Sequence, residues 1–171
     1  MISVGLYDYA VRSWFRNKQL IHEFEKIYDS NDKSYEVRSF YLERKKVGLL
    51  FLRLDGHYYA TKMTKSSTTA DKSGRVKPVI CDLCYTRMPG SKIAQVTFRR
   101  EFDKHSNTWL LCSDLTCSMR AREMTAESVD SKKLLGENVS IDTKIERLEK
   151  HIANIVETLQ LPPLKGQVYD K

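Results

Sequence analysis

"ICDLCYTRMPGSKIAQVTFRREFDKHSNTWLLCSDLTCS", residues 80–118, contains every cysteine of the chain: Cys81, Cys84, Cys112 and Cys117. They form two close pairs, a C-x2-C and a C-x4-C. Between the pairs, "IAQVTFRREFDKHSNTWLL" reads as a strand, a polar tip and a second strand, with Ala94, Val96 and Phe98 on one face and Gln95, Thr97 and Arg99 on the other. Zn²⁺ takes four tetrahedral ligands, and C-x2-C lets a tight turn aim two thiolates at one ion while its backbone N–H groups stabilise their charge. Cys112 ends the strand-like "TWLL". Cys117 lies in "SDLTCSMRARE", which reads as a helix with Ser113 or Asp114 near its N-cap, where helix N–H groups favour thiolates.

Knuckle, hairpin and helix in that order make a treble-clef zinc finger. Two other readings of the cysteines stand beside it. They could be unrelated core residues, since a free cysteine behaves as a small hydrophobe, or Cys81 and Cys84 could be a redox pair. The redox reading fits poorly, because a second pair is present and no βαβ pattern surrounds the first. One structural Zn²⁺ held by all four cysteines is the expectation. A catalytic zinc is not, because four thiolates close the coordination shell and leave no position for water or substrate.

Composition limits the partners. The chain has 171 residues, long enough for one ordinary domain or two small ones, and its 41% hydrophobic content is that of a folded protein. Twenty-nine Lys and Arg against 22 Asp and Glu give a net charge of +7, which favours an anionic partner such as nucleic acid, a ribosome or an acidic protein. The first residues, "MISVGLYDYAVRSWFRNKQL", place Asp8 and Arg12 where a signal peptide needs an apolar core. No later stretch approaches the ~18 apolar residues of a membrane span. A cytoplasmic protein is expected, and in that reducing compartment four cysteines serve as metal ligands or reactive thiols rather than disulfides.

The remaining elements predict an α+β chain: an N-terminal helix, a small antiparallel sheet, the four-cysteine finger and a C-terminal helix. Tyr7, Val11, Trp14, Ile21, Phe24 and Tyr28 recur at helical spacing. From Tyr35 to Met63 aromatic and β-branched residues take over, and Asp55-Gly56 is a preferred type I′ pair, so a hairpin or three-stranded meander follows. "TKSSTTADKSGR", residues 64–75, reads as a mobile loop. Ile141, Ile145, Leu148, Ile152, Ile155 and Leu159 share one stripe of a helix spanning about 140–160, capped by Ser140 and stopped by Pro162-Pro163. With fewer than three heptads, the stripe predicts packing on its own domain and a monomer rather than a coiled coil.

Arg99, Arg100, Lys104 and His105 crowd the hairpin tip around Phe102, with Asn107 and Trp109 beyond. That mixture suits an acidic protein surface or a phosphate backbone, although charges at a tip can also serve only to solvate it. His22, His57, His105 and His151 are scattered, and no phosphate-binding glycine loop occurs, so no enzyme and no small-molecule substrate are expected.

"ICDLCYTRMPGSKIAQVTFRR", "WLLCSDLTCSMRARE" and "GENVSIDTKIERLEKHIANIVETL" together resemble the C-terminal treble-clef domain of the FusB-type, elongation-factor-G-binding proteins, also known as the fibronectin-binding-protein C-terminal domain family. The resemblance covers roughly residues 47–160, with the finger core at 78–125 and the terminal helix at 140–160; residues 1–46 form a separate helical segment and 161–171 a tail. The best-known members carry an N-terminal bundle of several helices, whereas residues 1–46 have room for one long helix. The resemblance implies a non-enzymatic bacterial protein that binds elongation factor G, promotes its release from the ribosome and relieves the complex that fusidic acid traps. The charge and aromatic content of the hairpin tip, read beside that resemblance, makes Arg99, Arg100, Phe102, Lys104, His105 and Asn107 the candidate partner contacts. A nucleic-acid-binding zinc finger is the alternative, for which basicity and exposed aromatics are the footprint; Glu101 and Asp103 in the tip weigh against it.

Overall fold

The computed structural model describes residues 35–67, 77–100, 105–135 and 138–163. The helix expected over Tyr7–Tyr28 lies outside them, as do Phe102 and Lys104.

The first strands are a meander, β1 (Val37–Leu42), β2 (Val47–Leu54) and β3 (His57–Ser67). Leu54 pairs with His57 across the Asp55-Gly56 turn, where both residues have positive φ, 50° and 76°. This backbone is the reason an Asp-Gly pair is preferred there. Gly48 of β2 is required by space. A Cβ on it would stand 2.5 Å from the Phe40 carbonyl oxygen, 2.6 Å from the Tyr41 ring and 2.9 Å from the Met63 methyl.

The cysteine segment begins with a small hairpin, β4 (Pro78–Ile80) and β5 (Arg87–Pro89), and continues as β6 (Ile93–Arg99) and β7 (Ser106–Cys112). β6 joins the meander, giving one antiparallel sheet in the order β1-β2-β3-β6-β7. The junction corrects the first part of the loop expected at 64–75, because Thr64–Ser67 are the end of β3, paired with β6 from Thr64↔Thr97 to Ser67↔Ala94; residues 68–75 lie outside the described ones. These polar residues form strand because β6 supplies a backbone ladder and Lys65 finds partners. Its ammonium donates to the Ser113 carbonyl at 3.0 Å and lies 4.0 Å from the Tyr41 ring centroid.

Three helices follow: α1 (Cys117–Ala121), α2 (Ala126–Leu135) and α3 (Ile141–Leu159). α3 packs on β2 and α1. Ser140 caps it as predicted, its Oγ accepting from the Thr143 N–H at 3.2 Å. Leu148, Ile152, Ile155 and Leu159 are buried in one cluster with Leu50, Leu52, Met63 and Phe98. The stripe is not buried throughout: Ile141 is 43% exposed, and the first turns are held by polar contacts, with Lys144 paired to Glu123 at 3.1 Å.

α2 has no counterpart in the expected elements. Thr125 starts it through its side chain, which accepts from the Ser128 N–H at 3.3 Å while the Ser128 hydroxyl donates to the Thr125 carbonyl at 2.7 Å. Among its described side chains the buried ones are Ser128 and Ser131, while Val129 and Leu134 are exposed, so it shows no apolar period to read. Ser131 binds the helix to the finger by accepting from the Arg87 N–H at 2.8 Å.

Candidate metal centre

Cys81 and Cys84 sit on a turn between β4 and β5. The turn is closed by the Tyr85 N–H donating to the Cys81 carbonyl at 3.0 Å and the Cys81 N–H donating to the Thr86 carbonyl at 3.1 Å, with Tyr85 at φ 59°. Asp82 fastens this knuckle to β7: its N–H donates to the Leu110 carbonyl, and its carboxylate accepts the Leu110 N–H, both at 2.7 Å. Register then places the second pair. Ile93 lies opposite Cys112, so β7 ends beside the knuckle. A turn with Leu115 at φ 55° leads to Cys117, the first residue of α1.

The N-cap differs from the expectation of Ser113 or Asp114. Helix α1 begins later, with Thr116 at its N-cap and no side-chain cap bond. Asp114 is otherwise engaged, accepting from the Thr116 N–H at 3.2 Å and gripping Arg120 through both carboxylate oxygens, at 2.6 and 3.0 Å.

All four cysteines are buried, and their Sγ atoms lie within 4.8 Å of one another. Cys84 and Cys112 are 3.5 Å apart, and Cys81 and Cys117 3.8 Å. A disulfide requires about 2.05 Å. Four sulfurs around one zinc at about 2.3 Å stand about 3.8 Å apart along each edge of the tetrahedron. The donor set therefore fits Zn²⁺ in number, chemistry and spacing, and the cysteines that hold it are those expected from the two pairs.

The thiols do not ionise independently. Hydrogen bonds from Cys112, Cys117 and Cys81 hold Cys84 well below the ordinary thiol range, against the effect of burial. Cys117 is pushed well above it by its bonds with Cys112, Cys81 and Cys84, and by burial. A bound divalent cation would take the place of the thiol protons. Cys84 Sγ and the Thr86 hydroxyl are 3.3 Å apart, a distance at which the hydroxyl can donate to a metal-bound thiolate.

A scan against protein-family models matches residues 42–159, more than half of the chain, to the family described as FBP C-terminal treble-clef zinc-finger. The chain belongs to that family. As an FBP C-terminal treble-clef protein it is a zinc-binding α+β chain with one structural Zn²⁺, and the family is a zinc-finger domain rather than an enzyme family. No curated protein and no solved structure matches the chain. Among the described residues, no helix is long and apolar enough to cross a membrane.

The other end of the β6–β7 hairpin carries the remaining candidates. Arg99 is exposed opposite Ser106, and the two strands are joined outside by Thr97 and Thr108, whose hydroxyls are 2.8 Å apart. The Arg100 N–H donates to the carbonyl of the exposed His105 at 3.1 Å, closing the base of the tip. Asn107 pairs with Phe98, and so sits on the opposite face from Arg99. Trp109 is half-buried, packed on Phe98 with ring centroids 5.4 Å apart. Sequence reading missed two groups of this FBP C-terminal finger. Arg120 lies beside the metal centre; Tyr85 of the knuckle stacks on His151 of α3 at 4.9 Å and has Arg147 5.3 Å from its ring. Their signals, an Arg one helical turn after Cys117 and a Tyr directly after Cys84, acquire meaning only once α1 and α3 are placed.

Proposed function

We propose that this chain is a cytoplasmic, non-enzymatic docking protein that binds elongation factor G and promotes its release from the ribosome, with the zinc centre holding the β6–β7 hairpin in place. The observation that carries the reading is the closed centre: four buried thiolates at one end of a hairpin leave no coordination site for substrate, so the metal serves shape. A rigid hairpin with Arg99 exposed at its far end suits an acidic protein surface, and the family resemblance of "CDLCYTRMPG" and "CSDLTCS" supplies the partner. The net charge of +7 adds long-range attraction.

The test is titration of labelled, zinc-loaded full chain with elongation factor G and, separately, with ribosomal RNA. Binding to the factor at micromolar concentration or tighter is expected. Arg99→Glu together with Arg100→Glu should weaken it about ten-fold or more, roughly 1.4 kcal/mol, with zinc content unchanged and a smaller effect at high salt. No affinity for the factor, with RNA bound on a steep salt slope, replaces this reading by the nucleic-acid one.

A further inference from the structure

The Arg120 side chain is 4% exposed, among the most buried charged groups described. Its two terminal nitrogens are occupied. One donates to Asp114 Oδ1 and to the Thr116 hydroxyl, the other to Asp114 Oδ2. That leaves Nε, which is buried and has no hydrogen-bond partner. An unpaired buried donor is costly. Arg120 lines the same small recess as Cys84, and its charge is coupled to those of Cys84 and Cys112. It also lies three residues after Cys117, so α1 presents both on one side.

A zinc ion with four thiolates carries a net charge of −2 in a buried setting, and something must offset it. The dipole of α1 is a weak candidate, because the helix has five residues. Lys144 and Arg147 also line the recess, but Lys144 is paired to Glu123 and Arg147 lies over the Tyr85 ring. Asp114 is 50% exposed, so solvent screens its charge more than that of the buried Arg120. The two-oxygen grip of Asp114 fixes the guanidinium plane and leaves the Nε edge for another acceptor.

We propose that Arg120 is a positioning residue of the metal centre: oriented by Asp114, it supplies the charge that offsets the zinc tetrathiolate and donates Nε–H to a metal-bound thiolate. The zinc-loaded state thereby gives the buried donor the acceptor it lacks. Ligand-orienting partners of this kind typically change metal retention by 10- to 100-fold.

Full-length protein loaded with Zn²⁺, or with Co²⁺ as a spectroscopic substitute, tests this in Arg120→Met, Arg120→Lys and Asp114→Asn. Arg120→Met should lose zinc to a chelator about ten-fold faster or more. Its sulfur-to-cobalt charge-transfer band should move to longer wavelength, because a thiolate stripped of a hydrogen bond is a better electron donor. Arg120→Lys, which restores the charge without the Nε donor, should recover part of the retention. Folded Arg120→Met with unchanged release and an unshifted band overturns the proposal. So does equal loss of zinc in Arg120→Met and Asp114→Asn with neither band shifted, which would make the pair only a structural clamp. If Arg120→Met does not fold, Arg120→Lys decides: a shifted band with faster release supports the role, and wild-type behaviour in both overturns it.

Discussion

The β6–β7 hairpin has two ends held by different physics. At one end Ile93 pairs with Cys112, one of the four clustered buried cysteines; Asp82 bonds to Leu110 two residues before it, and Arg120, gripped by Asp114, follows Cys117 by three residues. At the other end Arg99 pairs with Ser106, and the base is closed by the Arg100 N–H bonded to the His105 carbonyl. The first end is over-determined and closed to solvent; the second is exposed and carries charge. A protein that recognises a partner through a hairpin gains from this asymmetry, because order imposed at the buried end limits the entropy lost on binding at the exposed one.

The hardest way to break the comparison is to remove the metal. Cys112→Ala with Cys117→Ala should reduce zinc from about one per chain to near none and unfold the knuckle, because structural zinc supplies folding free energy directly. Elemental analysis reads the first effect. Hydrogen exchange reads the second, as lost protection at Leu83, Met88 and Leu111 while β2 and β3 keep theirs. Retained zinc, or a metal-free protein with the knuckle fully protected, would refute the account of the buried end.

A smaller effect comes from the helix that backs both the sheet and the finger. Leu148 is fully buried, so Leu148→Ala should cost about 2 to 5 kcal/mol, the range for truncating a leucine that leaves a cavity. The loss should be independent of protein concentration in thermal or denaturant melts, since α3 packs on β2 and α1 of its own chain. A midpoint that rises with concentration would instead give α3 an intermolecular role.

What was legible beforehand follows the same division. Features encoded in neighbouring residues could be read from the chain: the two cysteine pairs, the Asp55-Gly56 turn, and Ser140 three residues before the N–H it caps. Features that depend on distant partners could not. Thr64–Ser67 look like a loop because nothing local shows that β6 will pair with them. Among its described side chains helix α2 buries serines, and its local sign was the reciprocal bonding of Thr125 and Ser128. Asp114 resembles an N-cap until Arg120, six residues on, claims both of its oxygens.

The smallest effect tests how far order at the metal end spreads into the sheet. Glu36, directly before β1, is buried and bonded to Arg122 through both oxygens at 2.6 and 2.9 Å, and the Val37 N–H donates to the Ser118 hydroxyl at 2.9 Å. These contacts join the edge of the sheet to α1, the helix that begins with Cys117. Burial alone would raise the Glu36 pKa, but the bonds and charge of Arg122 outweigh it and hold the carboxyl below its ordinary 4.5. Above that value both folded and unfolded chains are ionised, and the stabilisation is fully present. As pH falls through it the unfolded chain takes up the proton first, so stability is lost progressively until the folded carboxyl is protonated too. Glu36→Gln should therefore cost on the order of 1 to 2 kcal/mol at neutral pH, the scale of charged hydrogen bonds with a partly solvated partner, and should flatten the decline below about pH 4.5. Denaturant melts at pH 7 and pH 3.5 measure both. A variant that declines with acid as steeply as the parent would place the acid-sensitive contact elsewhere, and would separate the sheet edge from the ordering that begins at the cysteines.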